Sequence, residues 1–130
     1  MEYIHIEGND ISYKVRENEN ENIFPSPIRQ LPEVDMPFPN YEAYLSQGEN
    51  HQIIFMKFNE DINLPEHSHE EQWGIVLEGK IELTIGGETR AYAKGDRYFI
   101  DKGVKHSGKI FAGYADMTFF KQKDRYSTQH

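Results

Sequence analysis

Cysteine is absent from the 130 residues, and no apolar run is as long as a membrane span. The first absence excludes disulfides, thiolate metal ligands and cysteine nucleophiles. The second argues against a transmembrane helix, which needs ~20 apolar residues. Met1, Glu2 and Tyr3 do not open the basic and apolar segments of a signal peptide. We therefore expect a cytoplasmic protein.

Positive charge is also scarce. The chain has 14 lysines and arginines against 22 aspartates and glutamates, which gives a formal net charge of -8. The basic residues are scattered and form no stripe, and a negative chain repels phosphate backbones and anionic membrane surfaces. We expect neither nucleic acid nor membrane among the partners, and a small-molecule ligand or substrate instead.

The residues that are present indicate a turn-rich globular protein, since 37% are hydrophobic, 13% are aromatic, ten are glycine and six are proline. The length fits one domain. We predict a single domain over residues 1–130, with an N-terminal hairpin and arm in 1–50, a barrel core in 51–121 and a polar tail in 122–130.

The first part of the chain carries two different patterns. Two β-branched runs, Tyr3–Glu7 and Ile11–Val15, predict an N-terminal β-hairpin. Five prolines then lie between Phe24 and Pro39. Because proline fixes φ and has no amide hydrogen, this proline-rich arm is predicted to be extended and irregular. Its interleaved apolar residues indicate that it covers an apolar surface of its own chain or of a second subunit.

The later part reads as short strands separated by glycine turns. His51–Phe58 is a predicted strand. Ile75–Leu77 and Ile81–Ile85 flank Gly79 and predict a β-hairpin, and Gly86-Gly87 predicts a tight turn into a further strand. Turns every eight to twelve residues, without an amphipathic helix pattern, predict an all-β barrel or sandwich with little helix.

Two histidines stand one residue apart before an apolar run that ends in Glu78-Gly79. If His67 and His69 lie on one strand, the period of two points both imidazoles to the same face. One metal ion could then bind both side chains.

This segment resembles the first sequence motif of the cupins, and a later segment resembles the second. Six residues match at compatible spacing: His67, His69 and Gly79 in the first motif, and Gly95, Gly103 and His106 in the second. The resemblance covers residues 53–120. It implies a jelly-roll β-barrel, or double-stranded β-helix, with a metal bound by the three histidines. It also implies a homodimer, as is usual among cupins.

The match departs from the family pattern at the fourth ligand. Six residues before Gly79, where most cupins have glutamate, stands Gln72. We take Gln72 as the fourth metal ligand, with Glu70 and Glu71 as alternatives. Since Gln72 is an odd number of residues from His69, a turn or bulge must separate them.

The implied ligand set, three histidines and one glutamine, is uncharged. Imidazole suits zinc, copper, iron and nickel, and an amide oxygen is also compatible with manganese. We expect one divalent transition metal ion, Zn, Mn, Fe, Ni or Cu. Because the ligands do not neutralise it, the ion would be a strong Lewis acid and would favour anionic substrates such as carboxylates.

Four large side chains are candidates for the wall of a substrate pocket inside the barrel, namely Trp73, Tyr98, Met117 and Phe119.

Three functions remain open. The first is a metalloenzyme that performs Lewis-acid isomerisation, ring opening or lyase chemistry on a sugar acid or oxo acid. The second is a metal-dependent dioxygenase. The third is a sensor or binding cupin that holds a small molecule without turning it over.

Overall fold

A computed structural model describes residues 2–6, 11–15 and 22–128. The chain divides into two units, Met1–Gln30 and Leu31–His130, which are described separately. In the first unit, strands β1 (Glu2–Ile6) and β2 (Ile11–Val15) pair antiparallel. The predicted N-terminal hairpin is therefore confirmed, while its turn lies outside the described residues. The prediction of a single domain stays a prediction.

The proline-rich arm begins with a short helix, α1 (Ser26–Arg29), in the first unit. Pro25 precedes this helix in an extended conformation, and Pro27 lies in its first turn. Proline is tolerated there because the first amide groups of a helix have no partner within the helix. The prediction of a wholly extended arm is wrong for these residues.

The second unit consists of nine strands in two antiparallel sheets. Their bounds are β3 (Tyr41–Gln47), β4 (Gln52–Phe58), β5 (Ile62–His67), β6 (Gln72–Glu78), β7 (Lys80–Ile85), β8 (Glu88–Ala93), β9 (Arg97–Ile100), β10 (His106–Ile110) and β11 (Ala115–Phe120). One sheet has the order β5-β10-β7-β8, and the other has the order β3-β4-β11-β6-β9. Strand β3 is absent from the sequence-based prediction, which placed the N-terminal hairpin and the arm in residues 1–50.

The core lies between the inner faces of the two sheets. On β4, Ile54, Met56 and Phe58 are buried and alternate with less buried residues. On the other sheet, Ile81 and Leu83 belong to the same buried cluster. This period of two is what a half-buried strand requires. The predicted all-β architecture is confirmed, in the form of two packed sheets that no pairing between described strands joins into a closed ring.

Gly79 does not lie in a hairpin turn. Strand β6 before it belongs to the five-stranded sheet, and β7 after it belongs to the four-stranded sheet. Gly79 has a φ of +72°, and a Cβ added there would lie 2.7 Å from Tyr114 Cα. The chain thus changes sheets at a glycine that no other residue can replace without strain. The predicted hairpin at Gly79 is wrong, whereas the one at Gly86-Gly87, between β7 and β8, is confirmed.

The segment predicted as a polar tail packs on the fold as far as it is described. The buried side-chain amide of Gln52 donates to the carbonyl of Tyr126 at 3.0 Å and accepts from its backbone N–H at 2.9 Å. Val34 and Thr128 form a β-bridge, and Asp35 N–H donates to Ser127 O at 3.0 Å. The arm and the tail therefore run side by side.

In the part of the chain that the structure covers, no helix has the length and apolar character needed to cross a membrane.

The close approach at Gly79 predicts a strong destabilisation by Gly79→Ala. The added methyl group meets the backbone of Tyr114, and the positive φ adds strain, so we expect the free energy of unfolding to fall by about 3 kcal/mol or more. Gly87→Ala is the matched control, because Gly87 also has a positive φ, +87°, but no atom lies within 4 Å of an added Cβ. It should cost only about 1 kcal/mol in urea unfolding. Equal losses in the two variants would contradict the close approach.

Candidate metal centre

The structure brings His67, His69 and His106 together. His67 ends β5 and His106 begins β10, and the two are direct partners in the antiparallel register. Their ring centroids are 4.2 Å apart. His69 lies two residues beyond the end of β5, and its ring is 5.3 Å from that of His67 and 4.7 Å from that of His106. One ligand atom from each histidine lies within 4.8 Å of the others.

Backbone hydrogen bonds hold the loop that carries His69. Gly103 N–H donates to His69 O at 3.0 Å, and Lys121 N–H donates to Glu71 O at 2.9 Å. The loop spans residues 68–71, between β5 and β6, and supplies the break that the odd spacing of His69 and Gln72 requires. Two anchored carbonyls fix its position above the ends of the strands.

All three imidazoles use Nδ1 to contact a nearby backbone carbonyl. The distances are 2.8 Å from His67 to Pro65 O, 2.6 Å from His69 to Glu70 O and 3.0 Å from His106 to Val104 O. A carbonyl oxygen can only accept, so each Nδ1 carries the hydrogen and each Nε2 keeps its lone pair. The Nε2 atoms of His69 and His106 are buried without a hydrogen-bond partner. Unpartnered nitrogen atoms held in this way fit a metal ion.

The electrostatics favour neutral imidazoles. The pKa of His69 is lowered to about 4, mainly by burial, with a smaller contribution from the charges of His106 and Arg125 that the contact with the Glu70 carbonyl partly offsets. Burial also lowers the pKa of His106 below its ordinary value. Because both rings are neutral near pH 7, no proton competes with a metal for their Nε2 atoms.

Gln72 is buried at the start of β6 and lines the same cavity as the three histidines. The alternative ligands Glu70 and Glu71 point to other partners. Glu70 lies 3.3 Å from Lys102 Nζ, and Glu71 lies 3.8 Å from Lys121 Nζ. The identification of Gln72 as the fourth ligand stays a prediction, and its position is compatible with that role.

The histidines open into a cavity of about 340 Å³, a volume suited to a small molecule. Both sheets contribute to its walls, and the arm and tail contribute Asp35, Phe38, Arg125 and Tyr126. The tail's role in the cavity could not be predicted, because a polar segment without periodicity is typical of solvent-exposed chain.

Strand alternation places one of the four pocket candidates inside the cavity and the other three outside it. Tyr98 is buried and lines the cavity. Trp73, Met117 and Phe119 do not line it, because they alternate with inward-facing neighbours on β6 and β11 and so lie on the outer face of the sheet. Trp73 is the register partner of Phe119, whose ring stacks on His51 at 5.1 Å. For these three residues the cavity prediction is corrected.

Asp116 is a cavity residue that sequence reasoning missed. It lies on β11 between apolar residues, and its carboxylate accepts hydrogen bonds from the hydroxyls of Tyr114 and Tyr98, the latter at 3.5 Å. Burial raises its pKa to about 7, and the two hydroxyls partly offset this effect. The one feature of the sequence that could have indicated Asp116 is an acidic residue at a strand position that faces the interior.

The raised pKa makes stability depend on pH. Since the pKa of Asp116 is about 7 in the folded chain and 3.8 as its ordinary value, the folded state binds the proton more tightly. This contribution to stability is complete below pH about 4 and is lost as pH rises through 7. Between pH 5 and pH 8 it should decrease by about 2 to 3 kcal/mol.

Asp116→Asn isolates this contribution, because the buried histidines act in the opposite sense and are present in both proteins. Urea unfolding of metal-free protein at pH 5 and pH 8 should show Asp116→Asn gaining stability relative to the unsubstituted chain at the higher pH. An identical pH dependence in the two proteins would show that Asp116 does not titrate in this range.

Known proteins resemble this chain over parts of its length. It is 32% identical over 76 residues to a mannose-1-phosphate guanylyltransferase of Salmonella montevideo, a match of 57% of this chain and 16% of that protein. The chain thus spans about a sixth of that relative's length.

Solved structures share the fold at low identity. KdgF of Halomonas sp. is 20% identical with a TM-score of 0.60, over 71% of this chain and 88% of that one. An RmlC-like cupin of Shewanella frigidimarina is 18% identical with a TM-score of 0.64, over 75% and 87%. A variant of Bacillus subtilis oxalate decarboxylase is 17% identical with a TM-score of 0.62, over 74% and 28%.

The profile of the Cupin domain family matches residues 54–119, just over half of the chain. The matched segment contains both histidine motifs and the strands that position them. This protein therefore belongs to the cupin family.

Proposed function

We propose that this protein is a metal-dependent enzyme that performs isomerisation, ring opening or lyase chemistry on a small sugar acid or oxo acid. The observation that supports this proposal most strongly is the convergence of three imidazoles, each held by its Nδ1, on a cavity that also contains Arg125 and Asp116. These groups would provide a metal site, a cation and a proton carrier in one cavity.

His67, His69 and His106 would hold the ion, with Gln72 as the fourth ligand. A divalent ion bound there would polarise a carbonyl or enediol oxygen of the substrate and would lower the pKa of a bound water. The ligand set accepts Zn, Mn, Fe, Ni or Cu. The structurally similar oxalate decarboxylase of Bacillus subtilis has Mn(II) centres, so Mn²⁺ is the first ion to test.

Arg125 supports an anionic substrate. Its guanidinium lies 4.9 Å from the ring of Tyr126, and its charge lowers the pKa of both His69 and His106. Its buried Nε has no hydrogen-bond partner among residues 22–128, and the ion pairs found between described residues do not include Arg125. A guanidinium in this state can bind a substrate carboxylate through two parallel hydrogen bonds.

Asp116 would hold and transfer a proton. Its pKa of about 7 allows either protonation state under physiological conditions, which general acid–base catalysis requires. Oδ2 accepts the hydrogen bonds from Tyr98 and Tyr114, whereas Oδ1 is buried without a partner. Oδ1 is therefore the atom that would carry the proton.

Metal content is the first prediction of this proposal. Protein loaded with Mn²⁺ and then desalted should retain about one ion per chain, and His106→Ala and His67→Ala should each lose most of it, because each removes a nitrogen ligand. His51→Ala is the matched control, since His51 stacks on Phe119 away from the cavity. Elemental analysis measures the result. Equal retention by His106→Ala and His51→Ala would rule out the site.

Carboxylate binding is the second prediction of the proposed function. We expect Arg125→Gln to weaken the binding of glucuronate and pyruvate, used as probes, by about tenfold, which corresponds to ~1.4 kcal/mol. Isothermal titration calorimetry of the Mn²⁺-loaded protein measures the affinity. Lys123→Gln removes an equal charge from an exposed position outside the cavity lining and should have little effect. Unchanged affinity in Arg125→Gln would remove the argument for an anionic substrate.

The reaction class is tested by incubating metal-loaded protein with a panel of sugar acids and oxo acids under nuclear magnetic resonance observation. New carbon resonances without oxygen consumption support the isomerase, ring-opening or lyase proposal. Oxygen uptake would support the dioxygenase, and full recovery of unchanged but bound compounds would support a binding cupin. The expected homodimer also stays a prediction, which light scattering can test.

A further inference from the structure

A hydrogen-bond chain leads from Gln72 into the core. Gln72 Nε2 donates to the hydroxyl of Tyr98 at 3.3 Å, and that hydroxyl donates to Asp116 Oδ2 at 3.5 Å. Tyr114 also donates its hydroxyl hydrogen to Oδ2. All four residues are buried. This chain connects the predicted fourth metal ligand to the one buried carboxylate of the described core.

The hydrogen bonds from Gln72 through Tyr98 to Asp116 all have a fixed donor-to-acceptor direction. A phenol has a single hydrogen, and the hydrogen of Tyr98 is directed to Asp116, whose carboxylate oxygen is an acceptor. The oxygen of Tyr98 can then only accept from Gln72, so Gln72 must present its NH₂ group. Its Oε1 is thereby turned away from Tyr98.

The direction does not depend on the protonation state of Asp116. Both phenols contact Oδ2, while Oδ1 is the buried oxygen without a partner. A proton on Oδ1 leaves Oδ2 free to accept. With the proton on Oδ1, Tyr98 donates to Asp116 whether that carboxyl group is charged or neutral.

The backbone makes room for this arrangement at Gly74, which is the register partner of Tyr98. A Cβ at Gly74 would lie 2.4 Å from Tyr98 Cζ and 2.6 Å from its hydroxyl oxygen. Only glycine at position 74 leaves room for the Tyr98 ring to lie across β6. The position of the Tyr98 hydroxyl next to Gln72 is thus specified by the strand itself.

We propose that Tyr98, held by Asp116, is a positioning residue that orients the side-chain amide of Gln72 so that Oε1, and not Nε2, is available to the metal. An amide that reversed would offer the ion an NH₂ group, which has no lone pair suited to coordination. This inference rests on the proposed metal site and assigns a role to residues outside the histidine motifs.

The test is a double-mutant cycle of Tyr98→Phe and Gln72→Glu, with Mn²⁺ affinity measured by electron paramagnetic resonance titration. In the Gln72 protein, Tyr98→Phe frees the amide to reverse and should weaken Mn²⁺ binding by about tenfold. In the Gln72→Glu protein the same change should alter affinity less than twofold, because a carboxylate has an oxygen at both ends. Tyr92→Phe is the control, since its ring lies 5.6 Å from that of Tyr98 but outside the hydrogen-bond chain.

Equal losses in both backgrounds would show that Tyr98 acts only through packing and would overturn the proposal, as would no loss in the Gln72 protein. Failure of the metal site itself is distinguishable, because His106→Ala would then leave Mn²⁺ affinity unchanged. A second measurement needs no variant. In unsubstituted protein labelled with ¹⁵N-glutamine, pulsed electron paramagnetic resonance of bound Mn²⁺ should show no directly coordinated ¹⁵N. A strong ¹⁵N coupling would contradict the proposed orientation.

Discussion

The candidate site depends on three short contacts between imidazole Nδ1 atoms and backbone carbonyls. Each carbonyl belongs to a residue one or two positions from its histidine. Because these acceptors are part of the backbone, they fix the tautomer and the ring orientation wherever the strand ends are fixed. The lone pairs of the three Nε2 atoms consequently converge without assistance from any distant side chain.

The fold provides the fixed strand ends. β5 and β10 pair so that His67 and His106 are opposite each other, and the loop carrying His69 is tied by Gly103. The register shifts between His106 and Gly108, which is the kind of bulge that re-aims a side chain at the end of a strand. The arm and tail also line the cavity, and Arg125 and Asp116 are both among its lining residues.

The features that could be predicted from the sequence are those that depend on the spacing of residues close together in the chain. His67, His69 and His106 were identified by two motifs, and the all-β fold followed from the short alternating runs. Gly79 was misread, because a glycine between two apolar runs suits both a hairpin and a change of sheet, and only the packing against Tyr114 distinguishes them.

Long-range contacts account for the other differences. Arg125 lies in a segment whose sequence looks like a solvated tail, and the buried amide of Gln52 holds that segment in place. Trp73 and Phe119 are large and apolar, but strand alternation places them outside the cavity, whereas the shorter, polar Asp116 lies inside. Which face of a strand is enclosed depends on the other sheet, and a single strand does not carry that information.

The interpretation of the site requires that one ion binds the three Nε2 atoms together with Gln72. Anomalous diffraction from crystals of Mn²⁺-loaded protein tests it most directly. We expect a single strong peak at about 2.0 to 2.3 Å from His67, His69 and His106 Nε2 and from the side-chain amide of Gln72. A peak coordinated instead by Glu70 or Glu71, or no peak at the histidines, would contradict it.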